Sequence, residues 1–150
     1  MKTKYVQLFE DRLESQMRLV RLGLSDWPQV LIDYLDGPMT GSLYMNRARL
    51  EAMPDTLRVG GSLFMNDSII RTMPRVLTVG RHLALAHSQI DRLPDGLSVG
   101  EDLDLGASSI RELPYGLEVG GDLYLQGTGI KTLPASAKVG GKIFYTHKII

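Results

Sequence analysis

The chain has 150 residues, enough for one domain with a continuous core. Its 17 basic and 17 acidic side chains cancel, which argues against a general nucleic-acid or membrane-surface binder, because either needs a net basic footprint. Without cysteine there is neither a disulfide framework nor a thiolate metal site, and no apolar run approaches the roughly 18 residues that span a bilayer.

Residues 1–40 do not repeat. Lys2 and Lys4 are followed by acidic residues, so the start does not read as a signal peptide, and a cytoplasmic location is expected. Val6, Phe9, Leu13, Met17, Val20 and Leu24 recur at spacings of three and four, which predicts an amphipathic helix ending near Gly23. Ser25 or Asp26 is expected to cap a second, short helix that carries Val30, Leu31, Tyr34 and Leu35 and closes at Gly37-Pro38.

From Gly41 the chain falls into blocks of twenty residues that superpose without a gap, Gly41–Gly60 through Gly121–Gly140. Leu43, Leu63, Leu83, Leu103, Leu123 and Ile143 share one column, and Leu50, Ile70, Ile90, Ile110, Ile130 and Ile150 share another. Pro54, Pro74, Pro94, Pro114 and Pro134 keep step, as do Val59, Val79, Val99, Val119 and Val139 and the glycine after each. So strict a period makes each block one coil of a solenoid, buried only by stacking on its neighbours.

Gly121-Asp122-Leu123-Tyr124-Leu125 alternates apolar and other residues, the pattern of a half-buried strand, and Leu117-Glu118-Val119 is a second short alternating piece. Coils stacked about 4.8 Å apart then build one or two parallel sheets. The recurring Val-Gly pair reads as a turn in which glycine permits unusual backbone angles, and the two coils with Arg81 or Glu101 show that only the first glycine is obligatory. The helices of residues 1–40 are expected to cap one open end. At the other end Gly141-Lys142-Ile143-Phe144-Tyr145 begins a further strand and Ile149-Ile150 follow with no polar cap, which predicts self-association, as a homodimer, through Ile143, Tyr145, Ile149 and Ile150.

Written along one coil, Leu123-x-Leu125-x-x-Thr128-x-Ile130-x-x-Leu133-Pro134 resembles the bacterial type of leucine-rich repeat, over about Gly41 to Ile150. Its Val-Gly-Gly-x-Leu-x-Leu variant is similar to repeats of bacterial and bacteriophage proteins. The resemblance implies a right-handed solenoid of about five and a half coils, one structural domain with residues 1–40 as its helical cap and 41–150 as the repeats. Bacterial secreted effectors with a helical pair ahead of their repeats look similar at this end, although the ubiquitin-ligase domain of those effectors has no counterpart. Where the family carries asparagine, this chain has Ala48, Ser68, Ser88, Ser108 and Thr128. A hydroxyl there can still bond the loop backbone, more weakly.

The outward column one residue after the core leucine reads Tyr44, Phe64, Ala84, Asp104, Tyr124, Phe144. Four aromatics on one exposed column suit a binding surface, and equally a stacking ladder that steadies adjacent strands. Ala84 leaves a notch between the two aromatic pairs, and Asn46, Asn66 and Gln126 flank the column as hydrogen-bonding groups. Between residues 81 and 120 there are 3 basic and 7 acidic side chains, an acidic waist. Asp102 and Asp104 of this waist cluster with Asp122 just beyond it, in a column continued by His82 and Lys142, which supply compensating charge. A flat strand face offers too few oxygens for calcium, which takes 6–8 ligands, and shows no cleft for a glycosidase-like acid pair. His87 and His147 lie three coils apart, roughly 14 Å, and His82 and His87 sit on different sides of one strand end, so no metal site is expected.

The expected function is non-catalytic binding of another protein, with no cofactor. Tyr44, Phe64, Tyr124 and Phe144 would anchor it, Gln126 would add polar contact, and Asp102, Asp104 and Asp122 would select a basic patch. Its concrete form, by analogy with phage and bacterial repeat proteins, is an inhibitor that occludes a host defence or regulatory protein in the host cytoplasm. The alternatives are a saccharide-acting enzyme that uses the clustered carboxylates, and a self-assembling structural protein.

Overall fold

The structure, a computed structural model, describes residues 27–146. The first helix expected from Val6 to Leu24, its neighbours Ser25 and Asp26, and His147, Ile149 and Ile150 lie outside the described residues.

The described chain is a parallel β-solenoid of about five turns behind one short helix. Each coil contributes its Leu43-column strand to a six-stranded sheet (Leu43–Tyr44, Leu63–Phe64, Leu83–Ala84, Leu103–Asp104, Leu123–Tyr124 and Ile143–Phe144). The valine column forms a five-stranded sheet running from Thr56–Val59 to Lys138–Val139. A third sheet, which the sequence did not announce, pairs Arg49–Leu50 with Ile69–Ile70 and is continued by one bridge from Ile69 to Gln89. Register follows the repeat throughout: Leu43 faces Leu63, and Leu123 faces Ile143. The five-stranded sheet narrows from four residues per strand to two after Val76–Val79; in the next two coils Gly96 and Gly116 take left-handed φ of 73° and 71° where the first coils carry Thr56 and Val76.

Inward side chains repeat coil by coil. In the middle coil Leu103, Leu105, Ile110, Leu113, Leu117 and Val119 all face the core, and only Leu113 exceeds 2% exposure. The last coil is looser, with Leu133, Val139 and Ile143 half-buried where Leu113, Val119 and Leu123 are buried. Full burial of such a side chain contributes roughly 1.5–3 kcal/mol, so the stack weakens toward that end.

The obligatory glycine has a different cause from the one expected. Gly80, Gly100, Gly120 and Gly140 do not adopt left-handed angles; a Cβ at any of them would strike the carbonyl oxygen of the glycine one coil earlier. Close stacking of coils excludes a side chain there. The left-handed position is instead the corner after the six-stranded sheet, occupied by Arg47, Asp67, His87, Ala107 and Gly127 with φ from 54° to 74°.

The helix Gln29–Asp36 begins behind Pro28, which makes no side-chain cap bond. It closes through the Gly37 N–H on the Tyr34 carbonyl at 3.2 Å. Leu31 and Ile32 are buried, whereas Val30, expected on the packed face, is 42% exposed. The Tyr34 hydroxyl has the Met39 and Gly41 carbonyls at 2.8 and 2.7 Å, to one of which it donates, and accepts from the Gly60 N–H at 3.2 Å. Burial pushes its pKa up, partly offset by that accepted N–H. The Trp27 indole N–H donates to the Ala52 carbonyl at 3.0 Å. Helix and first coil are thereby tied at both ends of the covered surface.

Candidate functional site

The outward side of the six-stranded sheet presents three parallel columns. The first, Ser42, Ser62, His82, Asp102, Asp122 and Lys142, is a continuous ladder of side chain to backbone. Ser62 N–H donates to Ser42 Oγ (2.9 Å), His82 N–H to Ser62 Oγ (3.1 Å), and Asp102 N–H to His82 Nδ1 (3.2 Å). Asp122 N–H then donates to Asp102 Oδ1 and Lys142 N–H to Asp122 Oδ1, both at 2.8 Å. Each side chain satisfies a main-chain donor one coil further on. Asp102 and Asp122 therefore have a structural task, and one oxygen of each is committed to it.

The third column begins the same way. Asn46 Oδ1 accepts the Asn66 N–H and Asn66 Oδ1 accepts the Ala86 N–H, both at 2.9 Å. Ala86 has no oxygen to offer, and the Gly106 N–H turns to Asp104 Oδ1 in its own coil, also at 2.9 Å. Gln126 is exposed further along.

The middle column carries the aromatics. Tyr44 stacks on Phe64 with ring centroids 5.1 Å apart and planes 10° from parallel; Tyr124 stacks on Phe144 at 4.9 Å and 8°. The strand-stabilising ladder thus exists in two separate pieces, with Ala84 and Asp104 between them. Tyr44 is 64% exposed and the other three rings are half-buried. Partial burial raises the Tyr124 pKa, and the charges of Asp122, Asp102 and Asp104 raise it further, with Asp122 also accepting from the phenol. The three carboxylates and Tyr124 form one electrostatic neighbourhood.

His82 Nδ1 accepts a main-chain N–H, so the ring proton sits on Nε2, which donates to Glu101 Oε2 at 2.7 Å. Asp102 Oδ2 lies 3.5 Å from Nδ1 and would receive a bond only from a doubly protonated ring. Glu101 also pairs with Arg81 at 3.2 Å. The sequence assigned His82 to the aspartates as compensating charge, whereas its ring N–H goes to Glu101.

At the loop position the hydroxyls differ. Ser68 and Ser88 donate to the Met45 and Met65 carbonyls and accept N–H groups of the preceding coil, and Thr128 donates to the Leu125 carbonyl. The Ser108 hydroxyl, buried, has no partner, a departure from the bond expected of it. Of the predicted self-association residues, Ile143 is half-buried opposite Leu123 and Tyr145 is 40% exposed.

A groove of about 700 Å³ follows the proline column on another side of the solenoid, with Pro74, Leu93, Pro94, Pro114 and the 72% exposed Tyr115 along it. Sequence reasoning passed over it, although five prolines in one register mark a corner where successive coils turn together. Among the described residues no group of three or more His, Cys, Asp or Glu is placed to hold a metal, and no helix is long and apolar enough to cross a membrane.

Compared with known proteins, the chain matches no family model, no curated sequence and no solved structure.

Proposed function

We propose that this protein is a non-catalytic protein-binding module of the leucine-rich-repeat type, and that its partner seats on the outward side of the six-stranded sheet. The observation that carries the reading is the pair of aromatic stacks on that side, Tyr44 on Phe64 and Tyr124 on Phe144. A column serving strand stability alone gains from an aromatic in every coil. This one is interrupted in the middle, and aromatics left partly exposed on a regular scaffold have the character of binding anchors. Asp102, Asp104 and Asp122 give the face its selectivity for basic partners. By analogy with bacterial and phage repeat proteins, the concrete form is an effector that occludes a host protein in the cytoplasm.

The ladder gives Asp102 and Asp122 a structural task, each holding a main-chain N–H with one oxygen, so their clustering needs no acid–base chemistry to account for it. Self-association has one specific observation in its favour, the half-buried Val139 and Ile143 in the last coil. It predicts a concentration-dependent dimer that Ile143→Asp dissolves, read by sedimentation.

The test is affinity capture from host lysate, with the four aromatics changed together to serine as control and thermal melting to establish that the control folds. A stoichiometric protein captured by the native chain and lost in the folded control is the expected result. A partner retained by the control would move the site elsewhere, the proline groove first.

A further inference from the structure

The two aromatic stacks do not meet. Tyr44 covers one face of Phe64 and Phe144 covers one face of Tyr124, so Phe64 and Tyr124 each turn their other face toward the middle coils. Between them the column holds only Ala84 and Asp104, in register along the sheet. Three strand spacings separate the Phe64 and Tyr124 rows, about 14 Å. Ala84, Ala86 and Gly106 keep this stretch low, so the face carries a notch walled at each end by an aromatic ring.

One end of the notch is acidic. Asp104 shares its strand with Asp102, and Asp122 is one coil further on. Each of the three commits one oxygen to a main-chain N–H. Asp122 also accepts from the Tyr124 phenol and Asp102 Oδ2 lies 3.5 Å from His82 Nδ1, so Asp104 is the one whose second oxygen is left wholly for an outside donor. Among the described residues no lysine or arginine pairs with Asp104 or Asp122; the ion pairs of the neighbouring coils go to Glu51, Asp55 and Glu101 instead. The carboxylates thus stand next to an open aromatic face without a cation of their own.

We infer that the notch receives an arginine side chain from a basic segment of the partner protein, its guanidinium lying on the open face of Tyr124 and its N–H groups reaching Asp104 and a neighbouring carboxylate. The inference rests on the strand-face reading and gives it a specific occupant. A guanidinium is planar and weakly hydrated, stacks on an aromatic face, and offers forked donors to carboxylates. A lysine ammonium fits the charge but neither the plane nor the fork. The stem of the arginine crosses Ala84, the one place in the column where no large side chain stands in its way. An acidic or wholly apolar segment would bury the carboxylates without partners, at a cost no contact here offsets. A bare metal ion is poorly served, since the carboxylates are fixed to the main chain and calcium takes 6–8 oxygens.

The test is selection of random twelve-residue peptides on the immobilised full chain, followed by titration calorimetry of an enriched peptide. We expect enriched sequences to carry arginine. Replacing that arginine by citrulline, or using Asp104→Asn protein, weakens binding about tenfold or more, and lysine in its place recovers only part of the affinity. Asparagine keeps the oxygen that accepts the Gly106 N–H, and melting of the variant verifies its fold. Peptides that need the four aromatics but carry no arginine, or bind Asp104→Asn equally well, would overturn the notch and leave the strand face standing. Peptides indifferent to the four-aromatic variant, or no enrichment at all, would overturn both.

Discussion

Inside the solenoid the coils are close to copies of one another; on the outward side of the six-stranded sheet they are not. Leu63, Leu83, Leu103 and Leu123 are each fully buried in the same column, whereas one residue later the chain reads Phe64, Ala84, Asp104 and Tyr124. The difference has a physical origin. An inward side chain must tile against its own copy one coil away, about 4.8 Å along the axis, and only residues of matched volume do so without voids or clashes. An outward side chain meets solvent and is free to differ. Variation on this scaffold is therefore where function is to be sought, and it concentrates in the middle coils.

The sharpest way to break the regular side is Gly100→Ala. Its methyl group would strike the Gly80 carbonyl, so the coils must separate locally, and a loss of about 3 kcal/mol is expected in chemical denaturation. A loss below about 0.5 kcal/mol would mean that close stacking is not what demands glycine.

A finer test sits at the corner, where two equivalent serines differ. Ser88→Ala removes a hydroxyl that donates to the Met65 carbonyl and accepts the Ser68 N–H, and is expected to cost about 1–3 kcal/mol. Ser108→Ala removes a buried hydroxyl with no partner and is expected to be neutral or stabilising. Equal losses in the two variants would mean that Ser108 is bonded in solution.

The smallest effect belongs to the variable side. Tyr124 is expected to ionise above the ordinary tyrosine range, read from its ring carbon resonances in a pH titration, and Asp122→Asn is expected to lower that midpoint. Because the folded-state value is raised, the native state holds the proton more tightly. The associated stability is intact below the unfolded tyrosine pKa and is lost as pH rises through the folded value, so the window is alkaline. An unchanged midpoint in the asparagine variant would remove the carboxylates from the neighbourhood of the ring.

Much of this architecture was legible in the residues. Five gapless blocks fixed the coil length, and the Leu43 and Leu50 columns named the core, because a buried position must recur wherever the coil recurs. Legibility fell off where a role depends on what another coil contributes. Asp104 looked like a member of an acidic cluster, yet it accepts the Gly106 N–H because Ala86, twenty residues earlier, lacks the oxygen that Asn66 supplies at the equivalent place. His82 looked like a counter-charge to Asp102, and it accepts the Asp102 N–H on Nδ1 while its Nε2–H donates to Glu101. Val30 looked like part of the packed helix face and is exposed, since the packed face centres on Leu31, Ile32 and Leu35 and successive helix residues point about 100° apart, which carries Val30 off that face.

By itself the sequence determined a stacked solenoid with a twenty-residue coil, its inward columns and the aromatic column on its face, since periodic burial leaves a periodic trace. Only the tertiary structure decided that the described coils form three sheets, that the glycines yield to a neighbouring carbonyl and not to a turn angle, and that the aromatics form two stacks facing an acidic gap. Each of those depends on distances between residues twenty apart in the chain, which a repeat implies in number and not in geometry.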